Sequence, residues 1–203
     1  MAHTFAKVVS VIFHPLMMPM YSLLLLFNVN MYFTSALNPL AKGLLLIMMF
    51  SATVFMPVLL FSVLRWKNII SSFQMESNEE RNYPYLITAI IYFLMYMLLS
   101  QTAIPVVYSV FLICATVLSL LLLLINFKFK ISAHMAGIGG VTGLLTGIGI
   151  RMNIDMTFLI IIAIAIAGLI GFARLKQNAH KPPEVYLGFL TGVAVFVILI
   201  LLL

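Results

Sequence analysis

Residues 156–172 read MTFLIIIAIAIAGLIGF, a run without a charged side chain, and the polar stretch ARLKQNAHKPPE follows directly at residues 173–184. A helix needs about 20 mostly apolar residues to cross the hydrocarbon core of a bilayer. The apolar run is therefore predicted to be a membrane-spanning helix that ends where the charged residues begin. The same alternation of long apolar runs and short polar stretches continues along the chain, and it decides the fold class.

The composition excludes a soluble protein. Of 203 residues, 64% are hydrophobic and 8% are charged, and the mean hydropathy is +1.20, whereas soluble domains contain about 25% charged residues. We predict an all-α polytopic integral membrane helix bundle of six to seven transmembrane helices, forming a single membrane-embedded domain over residues 1–203. The predicted helices cover residues 8–31, 41–64, 84–100, 104–127, 131–150, 156–172 and 183–203. Pro84 is expected in the first turn of the third helix, where its missing N–H costs nothing.

The basic residues are distributed unequally between the two sides of the predicted bundle. Nine Lys and Arg lie on one side and two on the other, namely Lys7, Arg65, Lys67, Arg81, Lys128, Lys130, Arg174, Lys176 and Lys181 against Lys42 and Arg151. Because cytoplasmic loops carry an excess of Lys and Arg, the first side is predicted to be cytoplasmic. We expect the membrane to be a bacterial inner membrane.

Glycines recur on the fifth predicted helix. Gly139, Gly143 and Gly147 follow one another at intervals of four residues, and a face of such small residues lets another helix approach closely. We interpret this face as a packing seam within the bundle.

The polar stretch after residue 172 carries residues suited to phosphate chemistry. Arg174 offers a planar fork of donors that matches phosphate oxygens, and His180 is a candidate nucleophile or proton carrier. If the last helix starts at Pro182 or Pro183, the Glu184 carboxylate can accept a hydrogen bond from one ring nitrogen of His180. The alternative is a solvated, positively charged loop end.

Two further polar clusters are predicted to lie on the same side of the bundle. Ser132 and His134 open the fifth helix, where Ser132 is a candidate cap and the first-turn N–H groups form a ready anion site. The alternative for His134 is an interfacial histidine that satisfies only its own hydrogen bonds. Arg81, in the polar segment 74–84, is a second candidate ligand of phosphate, and the alternative there is a solvated amphipathic loop.

Other polar or aromatic residues are assigned local structural roles. His14 and Pro15 are expected to mark a helix entry, although they could border the site. Trp66 is typical of an interfacial anchor, and Arg151 and Asp155 are expected to cap helix ends on the opposite side.

Together, the three clusters resemble the signature motifs of the type 2 phosphatidic acid phosphatase superfamily of membrane lipid phosphatases, over about residues 66–203. Arg174, His180 and Glu184 match the third motif in spacing, and Ser132 and His134 match the second. In the first motif Arg81 matches, but Gln74 replaces Lys and Asn82 replaces Pro. In the second motif Ile131 replaces Pro and Ala133 replaces Gly. In the third motif Ala173 replaces Ser and Glu184 replaces Asp. Each departure could cost about tenfold in rate, which corresponds to about 1.4 kcal/mol.

The resemblance implies hydrolysis of a lipid phosphate or pyrophosphate without metal or cofactor. In that reaction His180 attacks phosphorus, Glu184 orients His180, and His134 protonates the leaving oxygen, while Arg81, Arg174 and Ser132 bind the phosphate. The expected partners are membrane lipids, including a phosphorylated lipid substrate, and not nucleic acid.

Two other functions are compatible with the sequence. One is a non-catalytic relative of the family that binds or transports a lipid phosphate without hydrolysing it. The other is a small transporter with the basic cluster as its substrate entrance, although the chain shows no pair of interrupted helices in corresponding halves.

Overall fold

The computed structural model describes residues 2–29, 32–70 and 78–203, and within these ranges every regular element is a helix. Seven of the described helical segments are long and apolar enough to cross a membrane. They are Ala2–Asn28, Pro39–Trp66, Glu80–Ser100, Val106–Asn126, Ala133–Met152, Thr157–Lys176 and Pro182–Leu202. The predicted all-α polytopic integral membrane fold is therefore confirmed.

Several of the spans are built from shorter helical elements. The α-helices are α1 (Ala2–Ile12), α2 (Met18–Asn28), α3 (Tyr32–Ser35), α4 (Pro39–Phe50), α5 (Met56–Trp66), α6 (Asn78–Ser100), α7 (Val106–Asn126), α8 (Ala133–Met152), α9 (Thr157–Lys176) and α10 (Pro182–Leu202). A 3₁₀ turn at Pro15–Met17 joins α1 to α2, and a π-helical turn at Ser51–Phe55 joins α4 to α5.

The first span begins earlier than predicted and is interrupted at Pro15. A residue that precedes proline is driven out of the helical region, and His14 accordingly has an extended backbone (φ −64°, ψ 141°). Its Nδ1 accepts a hydrogen bond from the N–H of Leu16 at 3.3 Å, so that His14 caps the 3₁₀ turn. The expected role of His14 and Pro15 at a helix entry is confirmed, and α1 is an additional helix that precedes this entry.

The position predicted for Pro84 is wrong. The helix starts at Asn78, six residues earlier, and Pro84 lies inside it. Proline removes one backbone hydrogen bond, here the one that residue 84 would donate to residue 80, and the helix continues through this local loss. The hydroxyl of Thr88 donates to the carbonyl of Pro84 at 2.8 Å in the following turn.

The chain divides into two compact units, Met1–Met18 with Leu124–Leu203, and Pro19–Leu123. In the second unit the π-helical turn between α4 and α5 packs against α6. The rings of Phe27 and Tyr108 meet edge to face at 5.9 Å, and the Lys42 ammonium lies 5.8 Å from the centre of the Phe27 ring. Trp66, at the end of α5, is 80% exposed, in keeping with the predicted interfacial anchor.

In the first unit, α8 and α10 pack side by side through their glycines. A Cβ on Gly139 would collide with the carbonyl oxygen of Phe189, and a Cβ on Gly143 would lie 2.6 Å from that of Val193. From α10, a Cβ on Gly192 would collide with the carbonyl oxygen of Ala136. The predicted packing seam is confirmed, and its partner is α10.

Near the end of α8, two charged residues bind the ends of neighbouring helices, as expected. The Asp155 carboxylate accepts from the Thr157 N–H at 2.9 Å, and hydrogen bonds from the Thr157 hydroxyl and N–H hold the pKa of the Asp155 carboxyl below its usual value. This cap thus stabilises the start of α9 above about pH 4 and is lost as the pH falls through the lowered pKa. Arg151 donates to the carbonyl of Ile200 at 2.6 Å, in the last turn of α10.

Candidate functional site

The start of α10 joins His180 to Glu184. The helix begins at Pro182, where proline fits because first-turn N–H groups have no partner within the helix. Glu184, at the third helical position, then faces back along the chain. Its Oε2 accepts from the Lys181 N–H at 3.2 Å and lies 2.8 Å from Nδ1 of His180. The hydrogen bond expected between His180 and Glu184 is present.

This pairing selects one tautomer of His180. An ionised carboxylate only accepts hydrogen bonds, so the proton of neutral His180 lies on Nδ1 and the lone pair on Nε2. The His180 side chain is 4% exposed and that of Glu184 12%. His180 is therefore buried, and the alternative of a solvated loop end is wrong for this residue.

The starts of α8 and α10 are held together through the backbone. The N–H of Ser132 donates to the carbonyl of Glu184 at 3.2 Å. A Cβ on Gly188 would lie 2.7 Å from the carbonyl oxygen of Ser132, so a glycine is needed for this approach. The contact brings the Ser132–His134 segment beside the His180–Glu184 pair.

Ser132 occupies the N-cap position of α8, but the predicted capping hydrogen bond is absent. Its ψ is 107°, compared with 163° at Asn38, whose side chain does cap α4. The Ser132 N–H is bonded to the Glu184 carbonyl and Gly188 lies against the Ser132 carbonyl, so that contact with α10 constrains the backbone at this position. The hydroxyl is buried and has no hydrogen-bond partner among the described residues.

His134, in the first turn of α8, contacts the N-terminal segment of the chain. Its Nε2 lies 3.1 Å from the carbonyl oxygen of Ser10. Since a carbonyl oxygen only accepts, Nε2 carries a hydrogen. The rings of His134 and His14 meet edge to face with their centres 5.5 Å apart.

Arg174, in the last turn of α9, also contacts Ser10. Its guanidinium donates to the Ser10 hydroxyl at 3.4 Å, a long hydrogen bond. Arg174, His14 and His180 all lie within electrostatic range of His134. The structure therefore gathers five of the six predicted site residues at one end of the first unit: Ser132, His134, Arg174, His180 and Glu184.

The sixth predicted residue, Arg81, belongs to the second unit. It lies in the first turn of α6, is half-buried, and interacts electrostatically with Tyr85 one turn later. Gln74, which replaces the lysine of the first motif, lies outside the described residues.

Two residues at this site were not predicted from the sequence, Ser10 and Gln177. The Gln177 amide donates to the Ser10 hydroxyl at 2.7 Å and to the Ala6 carbonyl at 2.9 Å. Their only signal was spacing, because Ser10 lies one helical turn before His14 and Gln177 lies one turn after Arg174. Among the described residues, no group of three or more His, Cys, Asp or Glu side chains is placed to hold a metal ion.

Comparison of the chain with models of protein families, with characterised proteins and with solved structures finds no match. The resemblance to the lipid phosphatases therefore rests on the motif residues themselves. What the structure adds is the proximity of the second and third motifs, which are separated by about 40 residues of sequence and by α8 and α9 in between.

Proposed function

We propose that this protein is an integral-membrane phosphatase that hydrolyses a lipid phosphate or pyrophosphate through a phospho-histidine intermediate. The observation that carries the proposal is the 2.8 Å hydrogen bond between Nδ1 of His180 and Glu184. It places the proton of the neutral ring on Nδ1 and the lone pair on Nε2, the nitrogen that would attack, and an adjacent carboxylate stabilises the positive charge that the ring acquires when it forms a bond to phosphorus.

The neighbouring groups can complete the reaction. The lone pair of His180 Nε2 forms the bond to phosphorus, the bond between phosphorus and the leaving oxygen breaks, and His134 transfers a proton to that oxygen. Water then attacks the phosphorus of the phospho-histidine and gives a proton to the neutral His134, the bond between Nε2 and phosphorus breaks, and inorganic phosphate is released with both histidines back in their starting forms. Arg174 neutralises charge on the phosphoryl oxygens, a contribution on which phosphoryl transfer strongly depends.

The position of these residues favours a lipid substrate. His134 lies in the first turn of one spanning helix, Arg174 in the last turn of another, and Glu184 in the first turn of a third. When the hydrocarbon chains of a lipid remain in the bilayer, its phosphate headgroup lies level with the ends of the spanning helices. Because basic residues are concentrated in the loops on this side, we propose that the site faces the cytoplasm of a bacterial inner membrane.

A non-catalytic lipid-phosphate-binding protein is the second candidate. Two observations favour it: only 4% of the His180 side chain is exposed, and Nε2 of His134 is bonded to the Ser10 carbonyl. Such a protein would keep the headgroup contacts of Arg174 and release no phosphate.

Replacing Arg174 with alanine is expected to raise KM for a lipid phosphate by about 10- to 100-fold, since a charged hydrogen-bonding group contributes about 1.5–3 kcal/mol. Arg174→Lys should recover part of this loss because it keeps the charge without the planar fork. The measurement is phosphate release from short-chain phosphatidate and from a polyprenyl pyrophosphate by the purified protein in detergent.

Arg151→Ala is the matched control, because Arg151 is an exposed arginine at the opposite end of α8. It should leave KM unchanged. If Arg174→Ala has the same KM as the parent protein, Arg174 does not bind the phosphate. If the parent protein releases no phosphate from either lipid but binds both, the non-catalytic function is the correct one.

A further inference from the structure

The end of α1 provides a backbone acceptor at the site. The last carbonyls of a helix have no N–H donor in the next turn, and Pro15 ensures that the helix stops, since it lacks an N–H and keeps His14 extended. Phe13 still donates to the Val9 carbonyl at 2.9 Å. The next carbonyl oxygen, that of Ser10, instead accepts a hydrogen bond from Nε2 of His134 at 3.1 Å.

This contact determines which nitrogen of His134 can exchange a proton. With Nε2–H donating to the Ser10 carbonyl, Nδ1 holds the lone pair in the neutral ring and the mobile proton in the charged ring. His14 is oriented by a comparable contact, because its Nδ1 accepts from the Leu16 N–H. The edge-to-face contact of the two rings further limits rotation of His134.

The side chain of Gln177 fastens α1 to α9. Gln177 directly follows α9, and its amide nitrogen lies 2.9 Å from the Ala6 carbonyl, 2.7 Å from the Ser10 hydroxyl and 3.1 Å from the carbonyl of Ala173 in α9. The two contacts on α1 lie about one helical turn apart. They fix the position of α1 along α9, and with it the position of the Ser10 carbonyl relative to Arg174.

We infer that α1 is a positioning element of the site: the Ser10 carbonyl holds Nε2–H of His134, so that Nδ1 is the atom that passes a proton to the leaving oxygen. The catalytic part of this inference rests on the proposed phosphatase function. The tautomer of His134 does not, and it can be measured without any turnover.

Pro15→Ala tests the inference with little change in side-chain volume. Alanine restores an N–H at residue 15 and lets His14 adopt helical geometry, so the His14 N–H can bond to the Ser10 carbonyl and compete with His134. We expect kcat to fall about tenfold, as for the loss of one hydrogen bond, with KM changed less than about twofold. Pro39→Ala, which removes a proline at the start of α4, is the control and should leave kcat unchanged.

The decisive readout is the ¹⁵N spectrum of the histidine rings in detergent, with the His134 signals assigned by His134→Gln. Above the titration of the ring, the parent protein should show a protonated Nε2 and an unprotonated Nδ1. Pro15→Ala should show a mixture of tautomers. A protonated Nδ1 in the parent protein, or an unchanged spectrum in Pro15→Ala, would overturn the inference.

Gln177→Met provides a second route if Pro15→Ala does not fold. Methionine keeps the length of the side chain and removes the amide that holds α1, so the His134 tautomer should again become mixed. An unchanged spectrum in this variant also contradicts the inference. If the parent protein shows the expected tautomer but releases no phosphate, the proposed function fails and the positioning role of α1 stands.

Discussion

His180→Ala is expected to lower phosphate release from a lipid phosphate by at least about a thousandfold, because loss of a covalent nucleophile removes the reaction path itself. In the structure, His180 is the histidine whose Nδ1 is held by a carboxylate and whose Nε2 keeps its lone pair. KM should change little, since Arg174 remains. The measurement is kcat of the purified variant with the best substrate of the parent protein.

His3→Ala is the matched control. His3 is exposed in the first turn of α1, and its removal should leave kcat unchanged. Equal phosphate release by His180→Ala and the parent protein would exclude His180 as the nucleophile. Equal binding of lipid phosphate by both, with no release from either, would favour the non-catalytic function.

Gly192→Ala is expected to produce the largest loss of stability from a single added methyl group. A Cβ at this position would collide with the carbonyl oxygen of Ala136 and lie 2.6 Å from the backbone nitrogen of Gly140. Backbone atoms cannot rotate away as a side chain can, so α8 and α10 must separate. We expect a cost of about 1–3 kcal/mol, which is typical of overpacking, and a lower midpoint of thermal unfolding in detergent.

Gly168→Ala is the control for the same change of residue. Gly168 lies in α9 and is exposed, and apart from the neighbouring backbone of its own helix no atom lies within 4 Å of the position of an added Cβ. Alanine favours a helix over glycine by about 0.5–1 kcal/mol, so this variant should be as stable as the parent or more so. If the two variants have the same unfolding midpoint, the seam between α8 and α10 is not as close as described.

Loss of the seam should also affect the site. Gly188 of α10 lies against Ser132, and the Ser132 N–H donates to the carbonyl of Glu184. Separation of the helices would therefore move His134 away from His180. The glycines of the seam thus position the site without taking part in its chemistry.

Most of the fold could be predicted because hydropathy alone distinguishes spans from loops. Prediction and structure differ where a helix continues through polar residues. Hydropathy gives no signal for residues 78–83, and proline is common in a first turn, so the sequence predicts that α6 starts at Pro84, whereas the helix starts at Asn78. Residues 2–7 are also more polar than a span, although they form the first turns of α1.

The candidate site was predictable where its contacts are local in sequence. Glu184 follows His180 by four residues, and a proline at the start of α10 fixes the geometry between them, so this pair could be expected. The contacts of Ser10 with His134 and Gln177 join segments more than 120 residues apart. They depend on how α1 packs against α9, and no local pattern indicates that packing. The sequence predicts a cap at Ser132, and no local pattern indicates the contact with α10 that Ser132 makes instead.

The central claim is a covalent phospho-histidine at His180, and its most direct test is transfer of label. Purified protein is incubated with a ³²P-labelled lipid phosphate, quenched rapidly in alkali and digested for mass spectrometry. We predict an acid-labile, alkali-stable label on the peptide that contains His180, absent from His180→Ala and chased by unlabelled substrate. Label on another residue, or substrate turnover without any trapped label in a quench fast enough to resolve one turnover, would contradict it.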